Sequence, residues 1–355
     1  MRRYYIISLF LLTSCVLMQK VSKKHNTMRI ETFTKSEQLP ELIEGSALHS
    51  ALTFRSYENT KASKPYMFVA YDDKDNEIGH ILVVRRRRFC LFPPILSYWY
   101  NINGEGVYRK DSTNNEEIFT IFLEKVFDIF DFRHTFIKVH NIEDPRFAYD
   151  ILRKHDFVPT RDRRMYISLH SKAPQERLTR AYKAHIRNAI SRGVTHHQAT
   201  TPQEMEEGIK LLRNYYRSKI QRDLPSAKAL HSMLHTPDGA LSNQARLFVV
   251  EYKGKLIGSS LCLYEQDRAC LAYSCGLRKS HPLLYPGIMA IWAAITDAHS
   301  NGYAHFEFLE ARALPRIKRK FFATLLNYGG KQVGTLRWQH FRWNWINKIL
   351  RRIYV

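Results

Sequence analysis

Met67-Phe68-Val69-Ala70-Tyr71, a polar stretch from Asp72 to Asn76, and Glu77-Ile78-Gly79 recur further along as Leu247-Phe248-Val249-Val250-Glu251, Lys253-Gly254-Lys255 and Leu256-Ile257-Gly258. Each reads as strand, tight turn, strand. The later elements repeat in the same order. An apolar helical pattern from Glu116 to Phe130 answers one from Gly287 to Ser300, and the strand pattern Thr135 to His140 answers Ala304 to Leu309. Helical segments Arg146 to Lys154 and Ile317 to Leu326 then lead through turns to strands Met165 to Leu169 and Val333 to Phe341. A period of roughly 180 residues is too long for a solenoid and predicts a duplicated, mixed α/β unit.

Local signals agree with those elements. Ile288, Ile291, Trp292, Ile295 and Ala298 recur at steps of three and four, Pro286 precedes the first turn, and Gly302 supplies a stop. This predicts a core-packed helix, with Trp292 as core rather than a cofactor platform. Between the copies, Lys172 to Arg192 holds six Lys or Arg and one acid, Glu176, in a helical pattern ended by Gly193. Arg180, Lys183 and Arg187 share a face, a cationic stripe suited to phosphate or else the solvated side of a linker helix. A second helix is predicted over Pro202 to Arg222, and a short one runs to Leu234.

The 355 residues carry 55 Lys plus Arg against 33 Asp plus Glu, a net charge of +22, and 45% are hydrophobic. That composition excludes disorder and allows about two domains. Beyond the N-terminus, no run approaches the ~20 apolar residues that span a bilayer, which excludes a multispanning transporter. The charge points to polyanions: nucleic acid, nucleotide phosphates or an acidic membrane face. Cys15, Cys90, Cys262, Cys270 and Cys275 are odd in number and lack CxxC spacing, so buried thiols are expected rather than disulfides or zinc. His231 and His235 are spaced as helical ligands but lack a third, and no metal is expected.

Residues 1–28 form a leader segment with two readings. Arg2, Arg3, the apolar run Ile6 to Leu12 and Leu12-Thr13-Ser14-Cys15 fit a lipoprotein signal anchored at Cys15. Met28-Arg29-Ile30-Glu31 fits an ordinary cytoplasmic start with the preceding stretch an upstream extension.

Three stretches, in order, resemble the FemAB-like branch of the GNAT superfamily, the Fem-type transferases and their acetyltransferase relatives. Asp156-Phe157-Val158-Pro159 through Met165 to Leu169 is similar to the end of that family's first fold. Ile186-Arg187-Asn188-Ala189 with Arg192-Gly193-Val194 resembles its basic helix. Ala272-Tyr273-Ser274, Tyr285-Pro286-Gly287 and Lys318-Arg319-Lys320-Phe321 resemble its last strand–helix–strand unit. The resemblance covers about Glu31 to Phe341. It implies an α/β (α+β) architecture of two tandem GNAT-like folds, each a mixed, mostly antiparallel sheet flanked by helices. The expected division is an N-terminal domain over 29–169, a C-terminal domain over 170–341 with a basic helical segment at 171–235, and a basic aromatic C-terminal helix over 342–355.

The same resemblance implies an acyltransferase that moves an acyl, acetyl or aminoacyl group from acyl-CoA (acetyl-CoA) or aminoacyl-tRNA to an amine, such as one on a cell-envelope precursor. Such donors are met in the cytoplasm. The R/Q-x-x-G-x-G/A pyrophosphate cradle is degenerate here. Arg278-Lys279-Ser280-His281 leads to Pro286-Gly287 with one glycine, and Pro286 has no N–H to donate. Donor- or acceptor-binding candidates are therefore Lys183, Arg187, Arg278 and Gly287. The resemblance adds Lys318 and Lys320, which lie beside Arg316 and Arg319 near a helix start where cations oppose the dipole. Glu307 is the carboxylate candidate, as base, acceptor clamp or exposed strand acid, since alternation sets it opposite Phe306 and Phe308. Tyr273 and Tyr285 are candidate proton donors to a leaving group, or packing aromatics.

Other expectations concern partners. Trp343, Trp345, Ile346, Ile349, Leu350 and Ile353 interleave with Lys348, Arg351 and Arg352, which fits either an interfacial helix on anionic lipid or a helix docked on its own domain. A catalytically inert polyanion-binding protein and a lipoprotein are the competing functional readings. Oligomeric state is not encoded in any of these signals. Substituting Glu307→Gln is expected to cut turnover with binding largely intact, and an unchanged rate would remove Glu307 from the mechanism.

Overall fold

In the computed structural model, the residues described are 28–87, 96–140, 145–170, 172–220, 224–236, 239–265, 267–308 and 324–354. The leader with Cys15, as well as Cys90, Arg88, Glu310, and the stretch with Arg316, Lys318, Arg319 and Lys320, lie outside them.

Among the described residues, thirteen strands form one sheet. The first half contributes β1 (Arg29–Phe33), β2 (Ser63–Tyr71), β3 (Glu77–Arg87), β4 (Tyr98–Asn103), β5 (Val107–Tyr108), β6 (His134–His140) and β7 (Val158–Ser168). The second contributes β8 (Val194–Gln198), β9 (Ala245–Tyr252), β10 (Lys255–Glu265), β11 (Arg268–Gly276), β12 (His305–Phe308) and β13 (Lys331–Phe341). Their order is β1-β2-β3-β4-β6-β13-β7-β12-β11-β10-β9-β8, with β5 pairing off β3. Read inward from either edge, three antiparallel pairings are followed by one parallel pairing, β4–β6 or β11–β12, and then an antiparallel one. The two halves thus share one strand plan, with a sheet that is mixed and mostly antiparallel, as the repeated order predicts.

The last strand of each half crosses over. β13 pairs with β6 of the first half, β7 pairs with β12 of the second, and the two crossing strands pair with one another at the centre.

Helices cover both faces. In the first half, α1 (Ala51–Glu58) places Phe54 against Met67, Val69, Leu82 and Val84. The opposite face carries α2 (Asn115–Asp128) and α3 (Pro145–Lys154), whose Phe119, Phe122 and Leu152 pack on Phe68, Val83, Ile102 and Ile137. In the second half, α4 (Arg180–Ser191) and α7 (Pro286–Ser300) cover one face, and α5 (Pro202–Tyr215) and α6 (Ala227–Leu234) the other. The basic segment is not one helix: a single turn at Pro174–Arg177 precedes Thr179, which is extended and caps α4. On α5, Thr201 and Glu204 form a capping box, and His197 bonds Glu204 at 2.9 Å. Trp292 is 5% exposed, in the core as its periodicity predicts. Finally α8 (Asn344–Tyr354) packs on β7 and β13.

Buried imidazoles give the fold a pH dependence. His49 is 1% exposed, and its Nδ1 accepts the Leu82 N–H at 2.9 Å. Burial, then the neighbouring charge of His80, holds its pKa down at about 3 against an ordinary 6.5, with the Asn103 backbone opposing. Burial likewise lowers His134, His155, His196 and His340. Each is neutral when folded and takes up a proton on unfolding below its ordinary pKa. This contribution to stability is complete above pH 6.5 and, for His49, is lost progressively as pH falls toward about 3. Urea unfolding at a series of pH values is expected to show this decline well above the carboxylate range. His49→Asn retains an acceptor, so it should flatten the acid limb while costing about 1 kcal/mol at neutral pH; an unaltered acid limb would count against His49.

Candidate functional site

In the second half, β11 and β12 run parallel from Arg268↔His305 to Leu271↔Phe308. Just past that point β11 carries a bulge. Its partner β10 pairs Cys262 with Leu271 but Leu261 with Tyr273, so Ala272 is the extra residue. Simple alternation would put Cys270 and Tyr273 on opposite faces. The bulge instead sets Ala272 and Tyr273 on the α5 side together with Cys270 and Cys275. Because Glu307 is registered with Cys270, it shares that face with Tyr273, about 10 Å further along the strand direction. The ring of Tyr273 meets Tyr216 edge-on at 5.6 Å. So two of the expected catalytic side chains are brought to one face.

Tyr285 is not with them. It precedes α7, which covers the other face, and adopts the left-handed conformation with φ 47°. Its ring stacks on His185 of α4 at 4.1 Å, and Arg192 donates to the Leu283 carbonyl at 3.1 Å. The start of α7 is thereby braced by α4. Gly287 is the glycine that the sequence pattern singles out, yet a Cβ there would meet nothing within 4 Å. The glycines that the geometry requires are Gly276 and Gly258. A Cβ on Gly276 would lie 2.2 Å from the Gly287 nitrogen, and one on Gly258 would lie 2.8 Å from the Pro286 carbonyl oxygen. Their bareness lets the helix N-terminus close on the ends of β10 and β11. No sequence signal distinguishes them, because the constraint comes from a helix packed on strands distant in the chain.

Arg278 and Lys279 are exposed in the loop before α7. The charge of Arg278 reaches the Tyr182 hydroxyl, whose pKa is raised by burial and pulled back by the Thr324 hydrogen bond and Arg278. Arg278 and Gly287 therefore belong to one neighbourhood. Lys183 and Arg187 belong to another. At 100° per residue they lie across α4 from His185 and Arg192. With Leu178, Ile186, Ile190 and Trp292 they line a groove of about 540 Å³.

Glu307 itself is 2% exposed, and both its oxygens are held by Arg164 of β7, at 2.7 Å to Nε and 2.5 Å to Nη2. This corrects one alternative: Glu307 is not an exposed strand acid but one half of a buried ion pair. The pair opens onto a cleft of about 990 Å³ that also presents Arg161, Arg163, Arg268, Tyr166 and His305. His305, two residues from Glu307, carries no mark in the sequence. Burial lowers its pKa, Asp267 opposes, and Arg268, His170 and Arg164 add to the lowering. Its Nδ1 has no hydrogen-bond partner among the described residues.

The three cysteines described, Cys262, Cys270 and Cys275, are buried and unbridged. Burial raises the Cys275 thiol to about 12 and that of Cys262 well above the ordinary range, which leaves neither as a nucleophile. His235 Nδ1 meets the His231 carbonyl at 3.0 Å, so this pair is used for a backbone contact. Three consecutive arginines at the end of β3 are seated on aromatic rings: Arg85 lies 4.7 Å and Arg87 5.9 Å from Tyr98, and Arg86 lies 5.0 Å from Tyr57 on the opposite face.

With this geometry in view, the comparisons with known proteins are consistent with one another. Residues 177–315 match the model of the acetyltransferase (GNAT) domain. The chain has a GNAT-like fold, shared over most of its length with solved structures. Solved structures similar to it include FemX, at 11% identity and a TM-score of 0.58, covering 88% of this chain and 95% of that one. L-PGS from Bacillus licheniformis aligns at 10% identity and a TM-score of 0.56, over 87% of this chain and 93% of that one. The C-terminal domain of a putative lysylphosphatidylglycerol synthetase from Agrobacterium fabrum aligns at 9% and 0.55, over 87% and 92%. No curated protein matches the chain.

The Arg164–Glu307 pair joins β7 to β12 across the exchange, with side chains 18% and 3% exposed. Removing one partner leaves the other charge in a mostly buried site. Arg164→Met or Glu307→Met alone is expected to cost about 3 kcal/mol, and the double substitution much less than the sum. Denaturant unfolding of the four proteins measures this; strict additivity would show that the two charges do not depend on one another.

Proposed function

We propose that this chain is an acyltransferase, moving an acyl or aminoacyl group from acyl-CoA or aminoacyl-tRNA to an amine. The observation that carries the reading is the bulge at Ala272, placed where the parallel pair β11–β12 ends and beside the strand ends on which α7 is seated. A bulge releases a backbone N–H from the ladder, and an N–H fixed in a closed site can polarise an acyl carbonyl as the amine adds. To Tyr273, next along the chain and on the Glu307 face, we assign the return of a proton to the departing group. Arg164 occupies the Glu307 carboxylate, so we assign Glu307 to orienting the acceptor side rather than to taking its proton.

On this reading the donor phosphates lie at the start of α7. Pro286 offers no N–H, and Arg278 and Lys279 supply charge in place of a glycine-rich cradle. We place Lys318 and Lys320 on the same donor side by resemblance alone. The division into folds over 29–169 and 170–341, with the basic segment 171–235 inserted in the second, is part of the proposal, as is a cytoplasmic setting. Among the described residues no helix is long and apolar enough to cross a membrane. The arginine-lined cleft supports one competing reading, a non-catalytic polyanion-binding protein.

Competition binding on the full chain separates these readings. Labelled mixed aminoacyl-tRNA is challenged with acetyl-CoA and with uncharged tRNA at near-physiological salt. Preference for charged over uncharged tRNA establishes the aminoacyl donor, and displacement by acetyl-CoA at modest concentration establishes the CoA donor. Equal binding of charged and uncharged tRNA with no effect of acetyl-CoA supports the polyanion reading instead. In either donor case Arg278→Ala should weaken the donor by about tenfold, and more at low salt, while leaving stability unchanged.

A further inference from the structure

Asn347 fixes the roll of α8. It is 1% exposed, its Oδ1 accepts the Phe341 N–H at 2.8 Å, and its Nδ2 donates to the Phe341 carbonyl at 2.9 Å. With Ile346 and Leu350 half-buried on the same side, the remaining arc is forced outward. Trp345, Lys348, Ile349 and Arg352 recur at steps of three, four and seven, a stripe about 100° wide. Trp345 is 62% exposed, Ile349 48%, and Trp343, the residue just before the helix, 38%. Lys348 and Arg352 are exposed between and beside them. An ordinary surface helix turns its apolar residues inward. This one fills its inward side with an amide clip and two half-buried aliphatic residues, and still turns tryptophan, isoleucine and two cations to solvent.

We infer that α8 is a docking helix for an anionic lipid bilayer. An indole ring is stable at the headgroup level of a bilayer, an isoleucine beside it gains by entering the acyl boundary, and lysine and arginine on the same stripe meet lipid phosphates. A second copy of the chain is a poor occupant. Two such stripes face to face would oppose Lys348 and Arg352 to their own kind, on chains that each carry +22. An acidic surface resolves both the apolar and the cationic half of the stripe. Because α8 rests on β7 and β13, the strands that line the arginine cleft, docking would hold that cleft beside the membrane surface. The docking does not depend on the acyl-transfer chemistry proposed above.

The test uses the full chain with phosphatidylcholine vesicles, with and without phosphatidylglycerol, and reads tryptophan emission and its quenching by brominated acyl chains. No tryptophan precedes Trp99, so the leader contributes nothing to the signal. Trp292 and Trp338 are buried, and Trp99 lies under Lys138. The expected result is a blue shift with quenching on phosphatidylglycerol vesicles, weakened by salt and about tenfold weaker on neutral ones. Trp345→Ser with Ile349→Ser should lower vesicle affinity by about tenfold and remove most of the quenching. Lys348→Glu with Arg352→Glu, which leaves the apolar residues in place, should lose only the preference for anionic lipid. Absence of quenching in the parent chain, equal quenching on neutral vesicles, or a serine variant quenched like its parent would overturn the inference. So would a concentration-dependent dimer that those serines abolish, found with no response to vesicles.

Discussion

Nine consecutive residue pairs join β7 to β13, from Tyr166↔Lys331 to Val158↔Gln339, and every other long-range feature is arranged around that ladder. Each strand arrives from one half of the chain and completes the sheet of the other. Without β13 the first half would end on β6 as a bare edge, and without β7 the second would end on β12, four residues long and already paired on its other side. An open edge of that kind exposes unpaired backbone groups and invites aberrant pairing, so the exchange makes the halves mutually dependent rather than merely adjacent. Side chains secure the register. Met165 and Ile167 face the core under α4 and α7, Trp338 faces the core under α2 and α3, and the Thr160 hydroxyl donates to the Arg337 carbonyl at 3.0 Å. A slip by one residue would reverse all of these at once.

The candidate site inherits this dependence. Glu307 sits on β12 of the second half, yet the guanidinium that orients it is on β7, carried in by the exchange. The cleft beside the pair is lined by β7, β12 and β13, elements from both halves, so no single repeat unit could have formed it. The donor end is built differently. There the one-residue bulge in β11, the bare Gly258 and Gly276, and the start of α7 all belong to the second half, while in the first half the chain from β4 to β5 slips by two residues against β3, between Val83↔Ile102 and His80↔Val107. On the proposed function the second half carries the bulge on which acyl chemistry could be built, and the first half supplies the strand that holds its carboxylate.

Much of this is legible in the sequence where the determinants are local. Alternating and helical periodicities place β9, α2 and α7 within a residue or two of where they fall and locate part of β2, β3 and β10, which run well beyond the stretches the repeat marks, because a buried face imposes its period only on the residues that make it. The length of β7 is underestimated by the same reading. Arg161, Asp162, Arg163 and Arg164 read as a polar connection, but they face the cleft and its surroundings rather than an apolar core, so no alternation betrays the strand. The bulge is invisible because Ala272 is an ordinary strand residue and only cross-strand register reveals the extra position. The crossover is invisible for a related reason. The repeated order of elements says that two strands end the two copies, while which sheet receives each is decided by contacts distant in the chain. His305 escapes notice since a single histidine at a strand start carries no pattern.

The charge excess is not spread evenly, and where it is left exposed bears on the donor. Arg85, Arg86 and Arg87 lie over aromatic rings, and Arg164 holds Glu307. Among the cations left exposed are Arg161 and Arg163 on β7, Arg278 and Lys279 before α7, and Arg180, Lys183 and Arg187 on the far side of α4. On the acyltransferase reading, a donor with one compact group of phosphates needs only the pair before α7. The α4 cluster lies across a helix roughly 10 Å thick and would be reached only by a ligand that continues past it. A polynucleotide has phosphates at regular intervals along such a path, and each one neutralised adds the same increment of affinity through counterion release. If α4 instead serves only to brace Tyr285 and Leu283, its far side has no need of three aligned cations. Within the proposed function, the stripe on that side is a surface that an aminoacyl-tRNA could use and acyl-CoA would not reach.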